Sequence, residues 1–397
     1  AMTPARFASA LSTQPEPARA EGEALEQLAA GLAGAAPDLL VVFATHEHVE
    51  TLAELGPRLA EATRARHVVG CTAQAVLADA REAEGEPGLA LWAAKLPETS
   101  VEPFRLGAVP GPEDEVLFTG MPDFGSAGET SALIFGDPFS FPVDAFLARL
   151  NGEHPGVPIV GGLASGAQRP GQGALIGDEG IVHEGAVGVV LRGAMGIQPV
   201  VSQGCRPVGR PWVITACHEN LIQKLGGRPA VDVLMETLGE LPPEERHLLQ
   251  RAPFVGLALD PKKSEFDRGD FLVRGLMGIQ PKERAIAVGD QVRRGQTVQF
   301  LVRDAVSAGE DLRHLLARAG AVDEPQGALL FSCNGRGKRM FGVADHDATS
   351  VHASLGVGTP VAGFFAAGEI GPVDGQNFLH GFTASVALFR RRAPAQP

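Results

Sequence analysis

A mixed α/β fold, in two packed domains with mixed sheets and covering helices and built partly from repeated strand-helix-strand units, is predicted by three features of this 397-residue chain. First, Leu40-Val-Val-Phe43, Ala132-Leu-Ile-Phe135 and Ala328-Leu-Leu-Phe331 each read as a short buried strand ending in Phe. Second, each Phe is followed 27, 26 and 32 residues later by the closing glycine of another short strand: Val68-Val-Gly70, Ile159-Val-Gly161 and Val361-Ala-Gly363. Third, between the second and third copies the texture changes to short apolar strands separated by glycine turns.

Taken in order, residues 1–36 carry no apolar core of signal-peptide length and are expected to be a flexible leader or a first helix. Residues 37–195 form an N-terminal domain holding copies one and two, with Ala73 and Ala164 in register with Ala366 of copy three. Pro142 and Asp144 open a helix over 143–150, and 184–192 reads as a strand. A C-terminal domain over 196–390 begins with a strand at 211–216 and helices at 229–238 and 241–250. Strands then follow at 254–259, 271–277, 285–288 and 297–302, with Gly289-Asp290 and Arg294-Gly295 supplying turns. Ser307-x-x-Glu310 reads as a capping box for a helix over 311–319 that Gly320 ends. Copy three closes this domain, and 391–397 is a tail.

Charge and composition narrow the partners. A net charge of −13 and a pI near 5.4 disfavour nucleic acid and anionic membrane, which reward basic patches. No apolar run approaches the ~20 residues of a membrane span. Tyrosine is absent, so tyrosyl chemistry is excluded. Cys71, Cys205, Cys217 and Cys333 show no Cys-x-x-Cys pair and no zinc spacing, and read as reduced thiols of a cytoplasmic protein with no metal site.

Candidate chemistry concentrates between Gly327 and Thr383. In Ser332-Cys-Asn-Gly-Arg-Gly-Lys338 the alternating small residues allow positive φ, so successive N–H groups can form an anion-holding nest with Arg336 adding charge. The spacing is not that of a Walker loop, and Lys338 and Arg339 read as solvated. Cys333 reads either as a small buried hydrophobe or as a nucleophile. Glu369 is the only ionisable residue between His352 and Asp374. It caps a turn, pairs with a cation such as Arg336, or meets a ligand. A strand over 378–388 would put Phe378, His380, Phe382 and Ala384 on one face, with His380 a general base, a haem or metal ligand, or a neutral core histidine. The pocket so assembled takes polar contacts from Asn334, Arg336, Glu369, Asn377 and His380 and apolar wall from Phe364, Phe365 and Phe382. If it is catalytic, Cys333, Glu369 and His380 carry the chemistry.

The runs Leu329-Leu-Phe-Ser-Cys-Asn-Gly-Arg-Gly337, Pro360-Val-Ala-Gly-Phe-Phe-Ala-Ala-Gly-Glu-Ile-Gly-Pro372 and Asn377-Phe-Leu-His-Gly-Phe-Thr383 resemble the C-terminal domain of FIST proteins. Asp38-Leu-Leu-Val-Val-Phe43, Val68-Val-Gly-Cys-Thr72 and Ile159-Val-Gly-Gly-Leu-Ala-Ser-Gly166 resemble the matching N-terminal domain, so the likeness spans 37–389. It implies an intracellular sensory module for a small ligand, a carboxylate-bearing metabolite such as an amino acid. An enzyme on the same pocket and a haem-binding gas sensor with one His or Cys as axial ligand are the alternatives; no other cofactor is expected. Only residues 390–397 follow Phe389, so the resemblance implies an output through a separate signalling partner or a homo-oligomer.

Overall fold

The computed structural model describes residues 4–392, except 113–114, 261, 264, 267–268, 321–323 and 357. Most of the expected tail therefore lies outside the described residues. Contacts divide the chain into two units, Ala1–Val201 with Leu312–Pro397, and Ser202–Asp311. The third copy thus groups with the first two and not with the strands that precede it, so the division differs from one at 195/196. The reason lies in how the copies pair.

Each copy is a parallel pair: Leu39–Thr45 with His67–Ala73, Thr130–Gly136 with Ile159–Leu163, and Gly327–Cys333 with Val361–Ala366. A return strand runs antiparallel to each first strand: Leu89–Lys95, Ala186–Gly193 and Ala384–Arg391 respectively. The recurring glycine is a packing requirement. A Cβ on Gly70, Gly161 or Gly363 would be driven into the carbonyl oxygen of Val42, Ile134 or Leu330 on the neighbouring strand. One residue beyond each of those carbonyls stand Phe43, Phe135 and Phe331, whose ring centroids lie 5.4 to 6.3 Å apart. Ala73, Ala164 and Ala366 belong to the same buried cluster.

The copies exchange hairpins in a ring. The hairpin of copy one, Ala75–Ala78 with Arg81–Glu84, pairs onto Val361–Ala366 of copy three. That of copy two, Leu175–Gly177 with Gly180–Val182, pairs onto His67–Ala73 of copy one. That of copy three, Glu369–Val373 with Gln376–His380, pairs onto Ile159–Leu163 of copy two. One side chain from each hairpin accepts the N–H two residues before the recurring glycine: Asp79 Oδ1 from Val361 (3.2 Å), Asp178 Oδ1 from Val68 (2.7 Å) and Asn377 Oδ1 from Ile159 (2.9 Å). No copy completes its own sheet.

The first 36 residues hold a strand, Arg6–Ser12, at a sheet edge beside Leu89–Lys95, and a helix, Pro17–Leu32, that buries Ala20, Ala24, Leu28 and Leu32. The segment around 378–388 is not one strand. Gln376–His380 and Ala384–Arg391 lie in different sheets, and Phe382 between them takes φ 59°, so the expected single face is broken.

In the second unit the expected strands are present and close on themselves: Arg206–His218 pairs with both Thr297–Val302 and Leu221–Leu225, with Phe254–Ala258, Phe271–Gln280 and Ala285–Val288 between. Helices Ala230–Glu240 and Pro243–Arg251 accompany them. The helix after this barrel, Ala305–Gly320, starts earlier than expected. Asp304 Oδ1 accepts from Ser307 N–H (2.7 Å) and Ser307 Oγ from Asp304 N–H (3.3 Å), so the cap is Asp304 with Ser307 and not Ser307 with Glu310. Among the described residues no helix is long and apolar enough to cross a membrane.

Candidate functional site

Where the first strand of copy three ends, a loop leads into the short helix Gly337–Phe341 and then into His346–Leu355. Arg336 in that loop is fully buried. Its Nε and Nη2 bond Asp347 Oδ2 and Oδ1 at 2.6 and 2.9 Å, and Ser332 Oγ donates to Oδ2 at 2.8 Å. Burial alone would raise the Asp347 carboxyl, but the guanidinium holds it well below the usual carboxylate range. Phe341 lies under the Arg336 guanidinium (5.2 Å) and stacks on His346 with centroids 3.4 Å apart.

The pair leaves bonds unmade. Arg336 Nη1 and Asn334 Oδ1 are buried without a hydrogen-bond partner among the described residues. Glu369, also fully buried, accepts from Thr383 N–H through Oε2 (3.0 Å). Burial works against the charge of Arg336, and Asp347 and then Glu369 hold it protonated. Burial, then the Glu369 charge, pushes the Cys333 thiol up to about 12, although Gly335 N–H donates to its sulfur at 3.5 Å. At neutral pH it is a thiol.

Copy one completes the site through its exchanged hairpin. Glu82 Oε1 accepts from Asp347 and Ala348 N–H (3.0 and 2.9 Å), the first donors of helix His346–Leu355. Glu84 accepts from Lys338 N–H at 3.0 Å. The N–H groups expected to cradle an external anion are therefore committed: Lys338 to Glu84, Arg336 to the Cys333 carbonyl (2.9 Å) and Asn334 to the Ala366 carbonyl (3.0 Å). The carboxylate in this nest belongs to the protein.

The other sequence candidates scatter. Asn377 is the hairpin clamp of copy three; its Nδ2 also donates to Val157 O (2.8 Å) and Asn151 Oδ1 (3.1 Å), so its polar atoms serve the fold. His380 is buried opposite Glu369 in the hairpin, with Nε2 donating to the Gly371 carbonyl at 3.0 Å. Phe364 packs in the central ring cluster with Phe43, and Phe365 faces a different cluster with Leu330 and Leu388, so neither is pocket wall. Adjacent strand residues point to opposite faces, and both faces here are core. Phe382 alone of the three phenylalanines is at the site, its ring against Gly335. Asp347, Glu82 and Glu84 were not singled out in the sequence. Asp347 looks like an ordinary acidic residue of a helix start, and the glutamates lie over 250 residues away.

Cavities of about 590, 290, 270 and 240 Å³ lie elsewhere in the first unit, and neither His nor Cys lines any of them. A haem needs an axial ligand facing a cavity, and His380 and Cys333 are enclosed and engaged, so these residues do not fit that group. The largest of these four is an open groove lined by Phe7, Met195 and Pro360 together with Gln326, Thr359 and Arg391. The unmade polar bonds at Arg336 and Asn334 nevertheless single out the buried cluster around them.

The family model for the FIST N domain matches residues 38–228, and that for the FIST C domain matches residues 230–372. An uncharacterized protein of Mycobacterium tuberculosis is 42% identical over 386 residues, which cover 97% of this chain and 99% of that one. An uncharacterized protein of Mycobacterium bovis is 42% identical over 386 residues, covering 97% and 98%.

Proposed function

Because this chain belongs to the FIST family, with matches to both its N and C domains, we propose that it is an intracellular sensor that binds a small zwitterionic metabolite, an amino acid, at Arg336. FIST domains are associated with signal transduction and small-ligand sensing. The observation that carries the reading is the unused Nη1 of a guanidinium sealed from water. A buried donor without a partner costs about 1–3 kcal/mol, so a ligand acceptor there recovers a bond the apo protein lacks.

Charge selects the ligand class. Asp347 already matches Arg336, and Glu369 adds a second negative charge beside it. A plain anion would meet two carboxylates for one guanidinium. A zwitterion sets its carboxylate on Nη1 and its ammonium toward Glu369 and Asn334 Oδ1. Of the two enzyme readings, the nucleophilic one needs Cys333 as a thiolate, and a thiol pushed up to about 12 supports binding over that route; the acid-base one would rest on His380 and Glu369. The signal leaves through a separate partner or a second copy of the chain.

Thermal-shift and calorimetric titration with amino acids, their parent amines and the corresponding organic acids tests this. At least one amino acid should stabilise the protein where its amine and acid analogues do not, and Asn334→Ala should weaken that binding about tenfold. Absence of any amino-acid response would sink the reading.

A further inference from the structure

Arg336 and Glu369 are fully buried and Cys333 is 8% exposed, so no ligand reaches them without a displacement. We infer that residues 381–383 are the gate of the site, with Phe382 as the ring that closes its mouth and limits what enters; the inference rests on the ligand-binding reading above.

The other walls are tied down. Gly327–Cys333 is paired on both sides, to Val361–Ala366 and to Ala384–Arg391. Helix His346–Leu355 is held by Glu82 at its first donors and by the Arg336 pair. Residues 381–383 join two strands of different sheets, and their bonds at the site are to its own residues: the Phe382 backbone to the Cys333 sulfur and Thr383 N–H to Glu369. Phe382 sits at φ 59°, the left-handed region that a non-glycine residue adopts only at a cost in backbone strain. Phe382 is 45% exposed, and a Cβ on Gly335 would come within 2.5 Å of its ring Cδ1 and Cε1. Glycine at 335 is what lets the ring lie against the loop that carries Arg336.

The latch is chemically matched to the ligand. Thr383 N–H is held by Glu369 Oε2, the carboxylate assigned to the ammonium. A bound ammonium competes with that N–H, so occupancy and loop position are linked. The hinge lies just before Thr383, because the Thr383 carbonyl keeps the ladder bond from Cys333 N–H (3.0 Å). Equivalent bonds run from Thr45 N–H to Gly88 O and from Asp137 N–H to Gly185 O. The residues matching Phe382 in those copies are Pro87 and Glu184. Only copy three puts an aromatic ring at this position, and only copy three has the buried arginine.

Cys333 beneath the loop reports opening without any knowledge of the ligand. In the full chain, N-ethylmaleimide labelling is mapped by mass, with the partly exposed Cys217 as reference. Phe382→Ala should label Cys333 about tenfold faster than the parent, while Phe382→Leu, which keeps an apolar cover, stays within about threefold. Unchanged thermal midpoints exclude general loosening. An unchanged Cys333 rate in Phe382→Ala overturns the gate. Repeating the labelling with millimolar glycine, alanine, glutamate and lysine separates the two claims. Faster labelling in Phe382→Ala with no amino-acid effect on any variant keeps the gate and removes the zwitterion reading; a parent rate altered by one of them supports both.

Discussion

At Glu82 folding favours the protonated carboxyl. The carboxyl is pushed up to about 7, chiefly by burial, with Asp347, Glu84 and Asp345 adding and the Ala348 N–H bond opposing. Its folded value exceeds the unfolded 4.5, so between those pH values the folded state holds more protons and stability falls as pH rises. This is the opposite of a paired carboxylate. Asp347 behaves in the ordinary sense: its contribution is present above its unfolded 3.8 and is lost as pH falls toward its lower folded value. Glu82→Gln should remove a stability loss on the order of 3 kcal/mol between pH 4.5 and 7. Thermal midpoints across that interval check it; parallel parent and variant curves would refute the assignment. Asp347→Ala strands a buried guanidinium and should cost about 3–5 kcal/mol in urea unfolding, far more than an exposed ion pair.

At the scale of elements, the exchanged hairpins decide whether three similar copies make one body. Asp79, Asp178 and Asn377 share no hydrogen-bond partner, so alanine at each should cost about 1–3 kcal/mol and the costs should add. A triple variant much less destabilised than the sum, by chemical denaturation, would mean that the clamps are incidental. The repeat was legible in the sequence because Phe43, Phe135 and Phe331 and the glycines 70, 161 and 363 answer to local steric facts: a shared ring cluster and a carbonyl with no room beside it. The barrel strands were legible for the same reason, their turns being local. The exchange was not, since each hairpin's partner belongs to another copy and nothing in Ala75–Ala78 names Val361–Ala366. That long-range pairing also hid the site. Arg336 and Glu369 stood out as charges in apolar segments, but Asp347 and Glu82, which bond in that neighbourhood, come from a helix and a hairpin far from them in sequence or without any apolar setting to mark them. Asn377 was expected to contact a ligand, and its hydrogen bonds go to the fold instead. Phe382 appeared to continue a strand because alternation carries no sign of a positive φ.

For the whole molecule, the barrel of residues 202–311 interrupts the threefold body between its second and third copies, and its two ends meet. Ser202 Oγ donates to Asp311 Oδ2 at 2.7 Å, Gly204 N–H to the same oxygen at 3.2 Å, and Arg206 lies opposite Val302 in an antiparallel register. Opposed residues of an antiparallel pair are the spacing that a two-residue Asn-Gly turn closes. The body keeps its own buried clusters around Phe43, Leu28, Leu330 and Phe146, none of which draws on residues 207–301. Replacing residues 207–301 by Asn-Gly should therefore leave a chain that melts in one cooperative transition and keeps the Cys333 labelling rate of the parent. The site residues all lie outside the excised stretch, so a shortened chain that binds an amino acid as tightly as the parent would locate recognition wholly in the threefold body. A molten product, with lost near-ultraviolet dichroism and no cooperative transition, would show that the barrel is needed to close the ring of exchanged hairpins.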